Sequence, residues 1–203
     1  RTDYIDLYQI HWPDNTTPIE ESFEAIAELL KQGKILAAGV SNYSTDQMRK
    51  ADSVVTLASN QIPYSMVERS AEEEIIPYCL ENKKSILAYS PLQRGLLTGK
   101  IKTDHHFAKG DHRPDTKFYK PENIRCINEF LEAIRPIADS KNATLSQLVL
   151  RWTISQPGIT VALAGARNAQ QAGQNARAID LKLSDEEIGV INERLEEILE
   201  LVA

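Results

Sequence analysis

Cysteine is scarce: Cys79 and Cys126 are the only two in 203 residues. Two thiols do not make the disulfide framework of a small secreted domain. Both fall in segments with helical apolar spacing, so two reduced, partly buried thiols are expected. No run approaches the roughly 20 apolar residues that a bilayer span needs, and no signal peptide is visible. These absences lead us to expect a cytoplasmic protein with no membrane partner. Excess positive charge is also missing. Lys and Arg number 23 against 29 Asp and Glu, a net charge of −6, which argues against a phosphate-backbone surface and a nucleic-acid partner. Neither G-x-G-x-x-G nor a P-loop occurs. There is no solenoid-period repeat and no low-complexity tract.

What is present reads as one globular domain over residues 1–203, with 42% hydrophobic and 26% charged residues. Short apolar runs at Tyr4–Ile10, Ile35–Val40, within Val54–Ile62, Ser85–Tyr89 and Ile159–Leu163 predict five strands. Between and after them lie helical patterns. Ile19–Lys31 carries Phe23, Ile26, Ala27 and Leu30 at helical spacing, with Pro18 before it and Gly33 after it. Ser44 with Gln47, Ser70 with Glu73 and Ser184 with Glu187 have capping-box spacing. Further helices are predicted over Glu122–Ser140, Leu145–Ser155, Ala169–Ala178 and Asp185–Leu201, the last striped by Ile188, Ile191, Leu195 and Ile198. Alternating strand and helix means a parallel sheet covered by helices, as an open doubly wound sheet or as a barrel. The polar stretch at about 100–121 is long for an internal connection and is expected to be a lid.

Hydrogen-bonding residues recur where each strand ends: His11-Trp12, Ser41-Asn42, Asn60-Gln61, Tyr89-Ser90-Pro91-Leu92 and Gly165-Ala166-Arg167. The C-terminal ends of parallel strands are where such folds build their sites. Taken singly, each has an ordinary role: a structural histidine, a helix cap, a loop amide, a core aromatic, a solvated charge. Their recurrence at all five ends is what singles them out.

The segments YIDLYQIHWPD, GVSNY, NQIPYS, AYSPLQRGLLTGK and GARNAQQAGQN, in that order, resemble the aldo-keto reductase family, most of all its bacterial general-reductase branches. The resemblance implies an α/β fold of the (β/α)8 TIM-barrel type, here an incomplete barrel covering strands 4–8 and the C-terminal helices. It implies hydride transfer from NADPH, with NADH as the other option, to a small-molecule aldehyde or ketone. His11 matches the catalytic histidine that orients the carbonyl, and Trp12 a wall of the substrate pocket. Ser41, Asn42 and Gln61 match the residues holding the nicotinamide carboxamide, and Tyr89 the aromatic stacking on the ring. Ser90, Leu92, Arg94 and Lys100 match the pyrophosphate-wrapping stretch, with Arg113 reaching it from the lid. Gly165 and Arg167 match the ribose loop, and Gln171, Gln174 and Asn175 the adenine contacts.

Elementary chemistry agrees with these assignments. Arg94, Gly95 and Lys100 offer cations and backbone N–H groups to an anion. The helix opening near Asn168 turns its positive dipole end towards the ribose-phosphate region. Gln171 and Asn175, four apart, share one helix face. Arg167 could pair bidentately with a 2′-phosphate, favouring NADPH.

The family also uses an Asp, a Tyr and a Lys for proton transfer, and no position in this sequence matches them. The chain opens at Arg1 inside a strand pattern, so a truncated, inactive reductase is expected. Three further βα units of about 30 residues each would complete the barrel. The alternative within the family is an NADPH-binding regulatory protein of the channel-β-subunit kind, without significant turnover. A Schiff-base aldolase is disfavoured because no lysine sits at a strand end. The lid cluster Asp104, His105, His106, Asp111 and His112 lacks a compact ligand spacing, so no metal site is expected. Oligomeric state is not legible.

Overall fold

A computed structural model describes residues 2–202; Arg1 and Ala203, the ends of the expected domain, lie outside the described residues. Five strands form one sheet: β1 (Ile5–Ile10), β2 (Ile35–Ser41), β3 (Leu57–Pro63), β4 (Ser85–Tyr89) and β5 (Ile159–Leu163). Their spatial order is their chain order, and the pairs β1–β2, β2–β3 and β3–β4 are parallel. A doubly wound sheet reverses strand order at a switch point, and these five strands show no reversal. Right-handed crossovers that all step the same way put their helices on one face. The α/β fold is therefore consistent with a (β/α)8 barrel, and the open-sheet alternative is set aside.

The chain divides into two compact units. The first comprises residues 1–63, 70–89 and 157–161. It contains β1 to β4 and three helices: α1 (Ile19–Lys31), α2 (Thr45–Asp52) and α3 (Ile75–Glu81). Helix α1 buries Phe23 and Ile26 from its apolar stripe. Ser44 and Gln47 form the expected capping box of α2: Gln47 N–H donates to Ser44 Oγ at 3.3 Å, and Ser44 N–H to Gln47 Oε1 at 2.9 Å. The third helix differs from expectation. Ser70 opens a short 3-10 turn, Ser70–Glu72, and α3 starts only at Ile75. Pro77 lies in its first turn, where the missing N–H has no helical partner to lose. One glycine is needed for close approach: a Cβ on Gly39 in β2 would collide with Ser59 Oγ on β3. Gln9, on β1, reaches the same spot, donating from Nε2 to Val40 O at 3.1 Å and to Ser59 Oγ at 3.4 Å.

At the opposite end of β3 and β4 lies a buried ionic group. Lys84 Nζ meets Asp52 Oδ1 at 2.7 Å, with side-chain exposures of 3% and 21%. Asp52 also accepts from Tyr78 Oη (2.9 Å) and Leu57 N–H (2.8 Å), and Lys84 donates to Leu57 O (3.2 Å). Beside it Cys79 is fully buried. Burial above all pushes its thiol up to about 11, with Lys84 pulling down and Asp52 pushing up. Cys126 is half-buried, and both thiols are free.

The second unit comprises residues 64–69, 90–156 and 162–203. It holds α4 (Pro121–Ser140), α5 (Leu145–Ser155), α6 (Ala169–Ala176) and α7 (Asp185–Val202). Helix α7 buries Ile191, Leu195 and Ile198 and carries the expected box at its start, Ser184 N–H to Glu187 Oε2 at 2.8 Å and Glu187 N–H to Ser184 Oγ at 3.2 Å. A reciprocal box of Thr144 and Gln147 opens α5. Trp152, fully buried, stacks on Tyr64 at 6.3 Å and donates to Asn192 Oδ1 at 2.8 Å. Helix α6 is shorter than predicted, passing into a 3-10 turn at Arg177–Asp180. No helix of the described residues is long and apolar enough to cross a membrane.

Candidate active site

In the first unit, Asn42 organises the strand ends. It follows β2 with a left-handed backbone, φ +62°, a conformation that asparagine tolerates better than most residues. Its Nδ2 donates to the His11 carbonyl (3.1 Å) and to Ser41 Oγ (3.0 Å), and its Oδ1 accepts from Tyr89 Oη (2.9 Å). One amide thus ties together the ends of β1, β2 and β4. Ser41, buried, donates in turn to the Gln61 carbonyl at 2.9 Å, and Asn42 N–H bonds to the same carbonyl at 2.9 Å. Ser41, Asn42 and Tyr89 therefore meet through their side chains, and His11 and Gln61 join them through their backbone carbonyls. The His11 main chain is fixed while its side chain remains exposed beside Trp12, ring centroids 6.0 Å apart. Trp12 is 58% exposed. Asn60 is directed elsewhere, lying buried with Nδ2 on Tyr43 O (2.9 Å) and Met48 Sδ (3.3 Å).

The second unit holds the remaining candidates in two places. The first is the turn after β4. Ser90, Gln93 and Arg94 have φ of +56°, +44° and +51°, and Gly95 +100°. Gln93 N–H closes on Ser90 O (2.8 Å), and Leu92 O receives Gly95 N–H (2.9 Å) and Leu97 N–H (3.2 Å). The Arg94 and Lys100 side chains are exposed and in no ion pair among the described residues. The loop expected to be a lid carries 3-10 turns at Arg113–Asp115 and Lys117–Tyr119. Arg113 pairs through Nε and Nη2 with Asp111, the shortest contact being 2.6 Å. That guanidinium holds the Asp111 carboxyl down at about 2.

The second place is the loop before α6. Asn168 caps the helix, its Oδ1 accepting from Gln171 N–H at 2.9 Å. Gln171 Oε1 accepts from Arg167 N–H (2.8 Å), and Asn175 Nδ2 donates to Gly165 O (3.1 Å). The two amides do share a helix face, and both hold the Gly165–Arg167 backbone. Arg167 and Gln174 are exposed, and the Gln174 carbonyl accepts from Gln147 Nε2 at 3.0 Å. Sequence reasoning did not single out Tyr119, which the structure places on the Arg94 turn: its Oη lies 2.8 Å from Gln93 O and 3.1 Å from Arg94 O. A tyrosine in a polar loop carries no signal of a distant partner. Among the described residues no group of three or more His, Cys, Asp or Glu could hold a metal ion.

The sequence pattern of the aldo/keto reductase family matches residues 1–196. "Aldo-keto reductase YhdN" of Bacillus subtilis is 41% identical over 97% of this chain and 60% of its own length. The "NADH-specific methylglyoxal reductase" of Escherichia coli is 34% identical over 96% and 60%. Among solved structures, the glycerol dehydrogenase AKR11B4 from Gluconobacter oxydans superposes with a TM-score of 0.89 at 37% identity, covering 96% of this chain and 59% of its own. A Klebsiella pneumoniae aldo/keto reductase in complex with NADP and acetate gives 0.72 at 28% identity, over 95% and 59%. The chain thus spans about 60% of the length of the curated relatives it matches. A family pattern running through nearly all of its residues, together with relatives above the 30% level, makes this chain a member of the aldo/keto reductase family.

Proposed function

We propose that the protein is a nicotinamide-dependent reductase of small aldehydes or ketones, cytoplasmic, and that these residues form strands 4–8 of its barrel. The observation that carries this is the Asn42 hub, which gathers His11, Ser41 and Tyr89 at the strand ends. When bound, the nicotinamide supplies the hydride. Tyr89 offers a half-buried ring face held by its hydroxyl, and Gln61 a half-buried amide. His11 serves as hydrogen-bond donor to the carbonyl oxygen, on which negative charge builds. The Arg94 and Lys100 side chains and the Arg94 N–H supply the positive character a diphosphate requires. Taken group by group, these donors have the chemistry that the parts of a dinucleotide require. The exposed Arg167 suits a 2′-phosphate, so NADPH is preferred to NADH, although one relative's name specifies NADH. Proton transfer needs an Asp, a Tyr and a Lys that no position among these 203 residues matches, so this segment alone is inactive.

The test is NADPH and NADH oxidation by the whole natural protein over a panel of aldehydes and ketones. Turnover is expected, falling about a hundredfold or more in kcat/KM for His11→Ala. Tight binding of NADPH with no turnover of any carbonyl would instead favour a regulatory protein. Turnover by residues 1–203 alone would overturn the claim of inactivity.

A further inference from the structure

The turn after β4 holds three non-glycine residues, Ser90, Gln93 and Arg94, at positive φ. Left-handed backbone is unfavourable for residues that carry a Cβ, so contacts around the turn must impose the shape. Besides the turn's own hydrogen bonds, those contacts come from the loop that follows it. Tyr119, buried, shares its one hydroxyl proton between the carbonyls of Gln93 (2.8 Å) and Arg94 (3.1 Å). Arg113 Nη1 donates to the same Arg94 carbonyl at 3.3 Å. Arg113 is itself immobilised, forked onto Asp111 and lying over the rings of Phe107 (5.1 Å) and Tyr119 (6.0 Å). Its guanidinium edge towards Asp111 is committed to that carboxylate.

A peptide is planar and trans, so its C=O and N–H point in opposite directions. Gripping the Gln93 carbonyl from the Tyr119 side turns the Arg94 N–H, in the same peptide, the other way. A carbonyl oxygen facing a diphosphate would repel it, whereas an N–H attracts it. We infer that Tyr119 and the Asp111–Arg113 pair are positioning residues for diphosphate binding, holding the Gln93–Gly95 turn with its carbonyls towards the lid. Arg113 then acts through the turn and is not a phosphate ligand. This rests on the dinucleotide reading above.

The two roles for Arg113 predict opposite signs for one substitution. If Arg113 were a phosphate ligand restrained by Asp111, Asp111→Asn would release it and tighten binding. As a positioning residue it loses its anchor, and binding weakens. The experiment measures NADP+ and nicotinamide mononucleotide affinity in the whole natural protein, with amide hydrogen exchange over residues 93–97. Tyr119→Phe and Asp111→Asn are each expected to weaken NADP+ about five- to tenfold. They should speed exchange in the turn and leave the mononucleotide affinity within twofold. Unchanged NADP+ affinity in Tyr119→Phe, or tighter binding in Asp111→Asn, overturns the inference and spares the dinucleotide reading. Failure of the parent protein to bind NADP+ or NADH overturns both.

Discussion

Tyr89 Oη donates to Asn42 Oδ1 at 2.9 Å, joining the ends of β4 and β2 across 47 residues of sequence. The same Asn42 side chain reaches β1 through the His11 carbonyl. A polar group with both its donor and its acceptor engaged is costly to truncate, because its partners lose their bonds as well.

Asn42→Ala removes three side-chain hydrogen bonds and places alanine at φ +62°. The expected loss is about 2–4 kcal/mol. Asn42→Gly loses the same bonds without the backbone strain and should be roughly 1 kcal/mol less destabilised. Urea unfolding of both variants checks the difference. Equal losses would mean that backbone strain contributes nothing.

Asp52→Ala strands the Lys84 ammonium, whose side chain is 3% exposed. Breaking a buried pair this way costs about 3–5 kcal/mol. Lys84→Met should cost less, because Asp52 remains 21% exposed and keeps Tyr78 Oη and Leu57 N–H. Chemical denaturation of the two variants gives the order; the reverse order would refute it.

The Asp111 carboxyl is lowered from 3.8 to about 2, first by its hydrogen bonds from the Arg113 side chain. A lowered folded-state value means the unfolded chain binds the proton more readily. The contribution is therefore complete above 3.8 and lost as pH falls towards about 2. Asp111→Asn should flatten the acid limb of the stability profile in that window and leave its shape above pH 5 unaltered, as followed by urea midpoints.

Cys79, fully buried with its thiol pushed up to about 11, has almost no thiolate at pH 8. It should not react with a disulfide reagent in the native protein and should become reactive on unfolding. Half-buried Cys126 accounts for any native reactivity. Prompt modification of Cys79 would contradict its placement against Lys84.

The five strands and the four longer helices were legible because their signals are local: short apolar runs in the strands, an apolar period of 3.6 in α1, α4, α5 and α7. The boxes at Ser44 and Ser184 were legible for the same reason, since a cap and its partner are three residues apart. The delayed start of α3 was not, because Ser70 and Glu73 have capping spacing and only the folded chain shows Ile75 as the first helical residue. The strand-end residues were visible as candidates. That Asn42 links His11 and Tyr89 was not, because no local pattern relates positions 31 and 47 residues apart.

The sequence by itself determined element type, the alternation that demands a parallel sheet, and the polar residues at each strand end, since each depends on neighbours within a few positions. Tertiary structure alone decided what those residues touch. It brought Asn175 to the Gly165 carbonyl, Asn42 to the His11 carbonyl and to Tyr89, and Tyr119 to the carbonyls of Gln93 and Arg94. Directional hydrogen bonds are satisfied only within about 3 Å and in the right orientation, and the packed chain alone fixes which groups meet that condition.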